Sequence, residues 1–240
     1  MARVAVVTGG TRGIGAEISV ALQRAGRTVA AIYASNDKAA EAFSKETGIK
    51  TYKFDVANFE ECCEGVAKIV AEVGPVEILV NNAGITRDGT LLKMDRDMWD
   101  AVLDTNLGSC YNLCKLTFEY MKNAKFGRIV NIGSMNGQAG QYGQVNYAAA
   151  KSGIHGFTKA LAQEGARFGI TVNAVAPGYV DTEMVRGVPP EVLQKIVARI
   201  PIGRLGKPCD IARGVLFLTD DDSDFVTGST ISINGGQHMY

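Results

Sequence analysis

Histidine is scarce in this chain, and with it go several kinds of chemistry. With only His155 and His238 in 240 residues, a histidine-built metal cage or a His-dependent catalytic triad has little to draw on. No charge of one sign prevails: Lys+Arg and Asp+Glu both number 25, for a formal net charge of zero. That balance argues against broad capture of nucleic acid or an anionic membrane. Long apolar runs are missing too, and none approaches the roughly 20 residues that a membrane-crossing helix needs. The opening MARVAVVTGG meets glycines too soon for a signal peptide, so the chain reads as cytoplasmic. Five cysteines suit that compartment. Cys62 and Cys63 are adjacent, Cys110 and Cys114 lie four apart, and Cys209 stands alone. No zinc-site spacing is present, so they read as free thiols, and no metal site is expected.

What is there is an ordinary globular composition, 46% apolar and 21% charged, with glycines placed where apolar runs end. Val4 to Val7 reads as a strand, followed by TGGTRGIG and a helix over Ala16 to Ala25 that Gly26 stops. The alternation continues. Strands are expected at Val29–Tyr33, Thr51–Phe54, Glu77–Val80, Arg128–Ile132, Thr171–Ala176 and Thr230–Ile233. Helices are expected at Asp37–Thr47, Phe59–Val73, Asp97–Met121, Ala148–Phe168 and Cys209–Leu218. Continuous apolar strands alternating with helices predict an α/β protein: a single-domain, Rossmann-like doubly wound parallel sheet with helices on both faces. It would span 1–240, with a dinucleotide-binding part over about 1–130 and a catalytic and substrate part over about 131–240. Tyr179–Lys207, rich in Gly and Pro, is the least regular stretch and reads as a mobile loop or lid.

TGGTRGIG follows a strand and opens a helix, the setting in which a glycine turn binds a dinucleotide. Gly9, Gly13 and Gly15 let the backbone approach a pyrophosphate, with Ile14 between them, and the helix N-terminus supplies free N–H groups. An acid at the end of the second strand would select NAD(H). None stands there; the local sequence is Tyr33-Ala34-Ser35-Asn36, and Arg12 in the glycine turn adds positive charge. NADP(H) is the expected cofactor, unless Asp37 reaches back to favour NAD(H).

One further stretch, NIGSMNGQAGQYGQVNYAAAK, holds Ser134, Tyr147 and Lys151. On a helix, residues four apart share a face, so the Lys151 ammonium can act on the Tyr147 phenol. Such a pair can pass protons near neutral pH, with Ser134 beside it to bond a substrate oxygen. A hydrolase built on Ser134 has no G-x-S-x-G elbow to support it.

In order along the chain come TGGTRGIG, NNAG (Asn81–Gly84), Asn106, Ser134, YAAAK (Tyr147–Lys151) and Pro177-Gly178. With these motifs the chain resembles the short-chain dehydrogenase/reductase family over its whole length. The resemblance implies Tyr147 as the general acid at a ketone oxygen. It implies that Lys151 lowers the Tyr147 pKa and holds the nicotinamide ribose, and that Ser134 orients the carbonyl. Asn106 would hold a water in a proton relay. Asp55 and Val56 would contact the adenine, Asn82, Ala83 and Gly84 the adenosine and ribose, and Pro177 and Gly178 the nicotinamide. It also implies a homotetramer built from the 97–121 and 148–168 helices and the last strand. A member of the fold that had lost the chemistry would be a bare dinucleotide-binding protein, but here all four catalytic positions are filled.

Within the family, three features resemble the NADPH-dependent reductases of short 3-oxoacyl-CoA in polyhydroxyalkanoate synthesis. They are Gln138, Gln141 and Gln144 ahead of Tyr147, the run NNAGITRD with Thr86, Arg87 and Asp88, and the ending NGGQHMY. The implied reaction is reduction of acetoacetyl-CoA to the (R)-3-hydroxyacyl-CoA. Acyl carrier protein in place of CoA is the alternative. Candidate substrate contacts are Asp88, Ser134, Gln141, Gln144, Tyr147 and Tyr179, with the glutamines otherwise a polar loop.

Overall fold

The computed structural model describes residues 2–187 and 189–239; Met1, residue 188 of the 179–207 stretch and Tyr240 of the C-terminal motif lie outside them. Seven strands form one parallel sheet in the order β3-β2-β1-β4-β5-β6-β7. They are β1 Val4–Thr8, β2 Thr28–Tyr33, β3 Lys50–Lys53, β4 Val76–Asn81, β5 Gly127–Ile132, β6 Ile170–Pro177 and β7 Thr230–Ile233. The order reverses between β1 and β4, the point where open α/β sheets leave a crevice at their carboxyl ends.

Both faces of the sheet are covered, which is why its strands are apolar without alternation. On one face Ala5, Val7, Ile78, Val80 and Val130 pack against Ile18 and Leu22 of α1 (Gly13–Arg24), and against Ile211, Val215 and Leu218 of α10 (Pro208–Thr219). On the other, Val6, Leu79, Ile129 and Val172 meet α3 (Phe59–Val73) and α5 (Ser109–Ala124) through Cys62, Val66, Ile69, Leu113 and Met121. Each such side chain fully buried contributes about 1.5–3 kcal/mol. Cys62, Cys110 and Cys114 are part of this packing. Burial pushes the Cys62 thiol up to about 12 and that of Cys110 to about 11. These are core residues, and Cys110 and Cys114 are buried within this chain. No helix among the described residues is long and apolar enough to cross a membrane, and no group of metal ligands is found among them.

Four local features differ from the expected elements. The single helix expected over Asp97–Met121 is α4 (Arg96–Leu103) joined to α5 by a π-helical turn at Asp104–Gly108. The extra residue of a π turn re-aims side chains without ending the helix, and here it buries Asn106. Ser134 opens an unexpected short helix, α6 (Met135–Ala139). The helix carrying Tyr147, α7, begins at Val145 and ends at Gly165, and a 3-10 turn over Ala166–Phe168 follows. The stretch 179–207 holds two short helices, α8 (Glu183–Arg186) and α9 (Pro190–Val197). It is tied down by a bridge between Val180 and Gly206, with Val180 and Ile200 buried. Residue order at strand ends and glycines shows where elements stop; it does not show an inserted residue inside a continuing helix.

Candidate active site

The carboxyl ends of β1, β4, β5 and β6 open onto one cleft of about 650 Å³. Thr8, the last residue of β1, fixes two of these ends together. Its hydroxyl accepts from the backbone N–H of Asn82 and of Ala83, both at 2.9 Å. The Asn82 amide returns the contact, donating to the carbonyls of Thr8 (2.9 Å) and Gly9 (3.3 Å). In this way NNAG holds the glycine turn in shape.

That turn is closed to a side chain at Gly15. A Cβ on Gly15 would lie 2.1 Å from the Gly9 carbonyl oxygen and 2.5 Å from the Asn82 amide nitrogen. Gly9 and Gly13 have φ of +60° and +53°, a left-handed conformation that favours glycine. Arg12, at the N-cap of α1, makes no side-chain cap, so the first amides of the helix are left for a ligand. Gly13, Ile14 and Gly15 line the cleft. So do Tyr33, Ala34 and Ser35 at the end of β2, Asp55 and Val56 after β3, and Asn82, Ala83 and Gly84 after β4. A narrow glycine cradle running into a long cleft across the sheet's switch point fits a dinucleotide. Asp37 is engaged elsewhere: its carboxylate accepts from the Tyr33 hydroxyl (3.2 Å) and the Lys53 ammonium (2.8 Å).

The other end of the cleft holds Ser134, Tyr147, Lys151, Pro177, Gly178 and Tyr179. The Ser134 hydroxyl accepts from the backbone N–H of Asn136 at 3.1 Å as the N-cap of α6, which leaves its own proton free to donate. Lys151, only 3% exposed, donates to the Ile132 carbonyl at 2.7 Å. Its ammonium lies 5.7 Å from the centre of the Tyr147 ring. Burial lowers the Lys151 pKa to about 8. For Tyr147 the net direction is upward, because burial outweighs the downward pull of its hydrogen bond with Ser134. Desolvation is the largest influence on the phenol.

Asn106 sits just behind the cleft wall. Its side-chain amide grips the backbone of Ile85 at both ends, accepting from N–H at 2.8 Å and donating to C=O at 2.9 Å. A Cβ on Gly84 would fall 3.3 Å from the Asn106 oxygen and 3.6 Å from the Lys151 nitrogen, so Gly84 is where these two groups meet. Of the expected substrate residues, Tyr179 and Gln144 line the cleft, while Asp88 and Gln141 do not. The Gln144 amide donates to the Asp88 carboxylate at 3.0 Å and accepts from the Asn136 amide at 2.9 Å. Gln141 is exposed on the loop before α7. Sequence reasoning passed over Asn131 and Thr158, a buried relay. Asn81 donates to Asn131 (2.8 Å) and Asn131 to Thr158 (3.0 Å), fastening α7 to β4 and β5. The signal was asparagine at the end of one apolar strand and next to the end of another.

A family model described as Enoyl-(Acyl carrier protein) reductase matches residues 9–238. The chain belongs to the short-chain dehydrogenase/reductase family, whose members work with a nicotinamide dinucleotide. It is 59% identical over 238 residues to the acetoacetyl-CoA reductase of Shinella zoogloeoides, covering 99% of each chain. It is 58% identical over 240 residues to the acetoacetyl-CoA reductase of Rhizobium meliloti, covering all of both. To the 3-oxoacyl-[acyl-carrier-protein] reductase of Pseudomonas aeruginosa it is 45% identical, over 99% of this chain and 98% of that one.

Proposed function

We propose that this chain reduces a short 3-oxoacyl-CoA, acetoacetyl-CoA foremost, to the (R)-3-hydroxyacyl-CoA with NADPH, the step that supplies polyhydroxyalkanoate synthesis. The observation that carries the chemistry is the set of Ser134, Tyr147 and Lys151 at one end of a dinucleotide-shaped cleft. The choice of thioester rests on relatives named acetoacetyl-CoA reductase at 56–59% identity, against 45% for the acyl-carrier-protein enzyme. The choice of NADPH is supported by the end of β2, where Asp37 is engaged by Tyr33 and Lys53 and no acid lines the cleft between Tyr33 and Asn36. Arg12 lines the same end and would pair with a 2′-phosphate. The family resemblance implies a homotetramer, and Tyr111 of α5, on one of the helices expected to form it, is an exposed apolar side chain in keeping with one.

When bound, the nicotinamide dinucleotide supplies the hydride for the carbonyl carbon. Tyr147 gives its phenolic proton to the carbonyl oxygen, and burial keeps that proton in place until then. Ser134 donates a second hydrogen bond to the same oxygen, its own oxygen already occupied by Asn136. The Lys151 ammonium, anchored on Ile132, stabilises the phenolate left behind. Asn106 holds the loop at Ile85 beside this ammonium, on the side from which a proton would return by way of a water. Gln144 and Tyr179 would border the thioester, with Asp88 acting on Gln144.

The test is nicotinamide oxidation with acetoacetyl-CoA, followed by absorbance. Tyr147→Phe should lower kcat by about 10²–10⁴-fold and leave NADPH affinity within about threefold. A Phe variant that keeps turnover, or that loses NADPH binding instead, contradicts the proton-donor role.

A further inference from the structure

Asn146, next to the proton donor, is wholly buried and has no part in the chemistry above. Both of its amide protons and its oxygen are engaged. The nitrogen donates to the carbonyl of Arg87 and to the carbonyl of Met98, both at 3.0 Å, and the oxygen accepts from the backbone N–H of Tyr147 at 2.8 Å. These three contacts join three separate elements: the loop after β4, helix α4 and the first turn of α7.

Each contact fills a need. The opening amides of α7 have no intrahelical partner, and Gln144 at its N-cap supplies no side-chain cap; the Asn146 oxygen serves the Tyr147 amide instead. The Arg87 carbonyl belongs to a loop that is fastened two residues earlier by Asn106 at Ile85. One residue later Asp88 accepts from Gln144, and the Gly89 N–H donates to the Gly143 carbonyl at 2.8 Å. So the loop 85–89 is held along its length by Asn106, Asn146, Gln144 and Gly143, and the hold at Arg87 comes from a side chain with no solvent exposure at the start of the helix that carries Tyr147.

We propose that Asn146 is a positioning residue for the reduction. By holding the loop 85–89 and α4 against the start of α7, it sets the place of Tyr147 relative to Asn106 and the loop that Asn106 holds. This rests on the reductase reading above. A proton donor displaced by about 1 Å loses on the order of 10²-fold in rate, whereas the dinucleotide cradle lies on α1, β1 and β4 and does not depend on this amide. The expected signature is a loss in kcat with NADPH binding unchanged.

The experiment compares wild type, Asn146→Ser and Asn146→Ala in the full-length protein. It measures kcat with acetoacetyl-CoA, NADPH dissociation constants, and amide hydrogen exchange over 85–89 and 145–151. The expected order of kcat is wild type, then Ser, then Ala, with the Ala variant down about tenfold to a hundredfold and the NADPH dissociation constant within about threefold. Exchange at the Tyr147 and Gly89 amides should speed up while the sheet stays protected. If Ala fails to fold, the Ser variant carries the same comparison, its hydroxyl supplying one shorter donor. Wild-type kcat in the folded variant, unaltered exchange, or NADPH affinity falling in step with kcat would overturn the proposal. A wild type inert toward acetoacetyl-CoA would instead sink the substrate reading, and the exchange data would still decide whether Asn146 holds the loop.

Discussion

The Lys151 ammonium donates to the carbonyl oxygen of Ile132 at 2.7 Å, tying the catalytic helix to the last residue of β5, two positions before Ser134. This bond sets the direction of the lysine, and burial sets its affinity for a proton. Its value falls from 10.5 to about 8, so the ammonium is present at neutral pH and lost just above it.

Reduction should therefore decline as pH rises through about 8, since the charged lysine is the form proposed to stabilise the phenolate. The profile of kcat/KM against pH checks this, because it reports groups of the free enzyme. The stability effect has the opposite sense. A lysine whose folded value lies below its unfolded value destabilises the fold while charged, and that cost fades between about 8 and 10.5. A profile flat through pH 9 would detach Lys151 from the rate.

Gly137 of α6 leans directly on the lysine's own backbone. A Cβ there would lie 2.6 Å from the Lys151 carbonyl carbon and 2.8 Å from its Cβ. Gly137→Ala should cost about 1–3 kcal/mol of stability through overpacking and lower kcat more than it raises the KM for NADPH. Thermal unfolding and steady-state kinetics on the same preparation check both. An alanine variant with unchanged melting temperature and kcat would show that the helix gives way freely.

Cofactor choice should turn on the ends of β2 and the glycine turn. Arg12→Ala should weaken NADPH by about tenfold or more, as expected for a charge-assisted hydrogen bond of about 1.5 kcal/mol or more, and leave NADH nearly untouched. Ser35→Asp should shift preference toward NADH by placing a free carboxylate where Asp37 is not available. Paired dissociation constants for the two cofactors decide it. Equal losses for both in the Arg12 variant would place the arginine on the shared pyrophosphate.

Much of this was legible in the chain because the signals are local. Continuous apolar strands ending at Val7, Val80, Ile132 and Ala176 gave the parallel sheet, whereas the four-residue spacing of Tyr147 and Lys151 pointed to a proton-handling pair only beside the other motifs. Residues whose roles depend on distant partners were not legible. Thr8 acts on Asn82 and Ala83, Asn81 on Asn131, and Asn146 on Arg87 and Met98, and no spacing announces such pairs. The π turn at Asp104–Gly108 is invisible for a related reason, since helix propensity does not distinguish a regular turn from a widened one. Among the glutamines, only the fold separates Gln144, in the cleft wall and tied to Asp88, from the exposed Gln141.

The carrier on the substrate is the decisive matter. Rates of NADPH oxidation with acetoacetyl-CoA and with the acetoacetyl thioester of acyl carrier protein, taken as kcat/KM on one preparation, test it most directly. A short 3-oxoacyl-CoA reductase should favour the CoA thioester by at least about tenfold, or ~1.4 kcal/mol in transition-state binding. A preference of that size for the carrier-protein thioester, or no reduction of acetoacetyl-CoA at all, would contradict it.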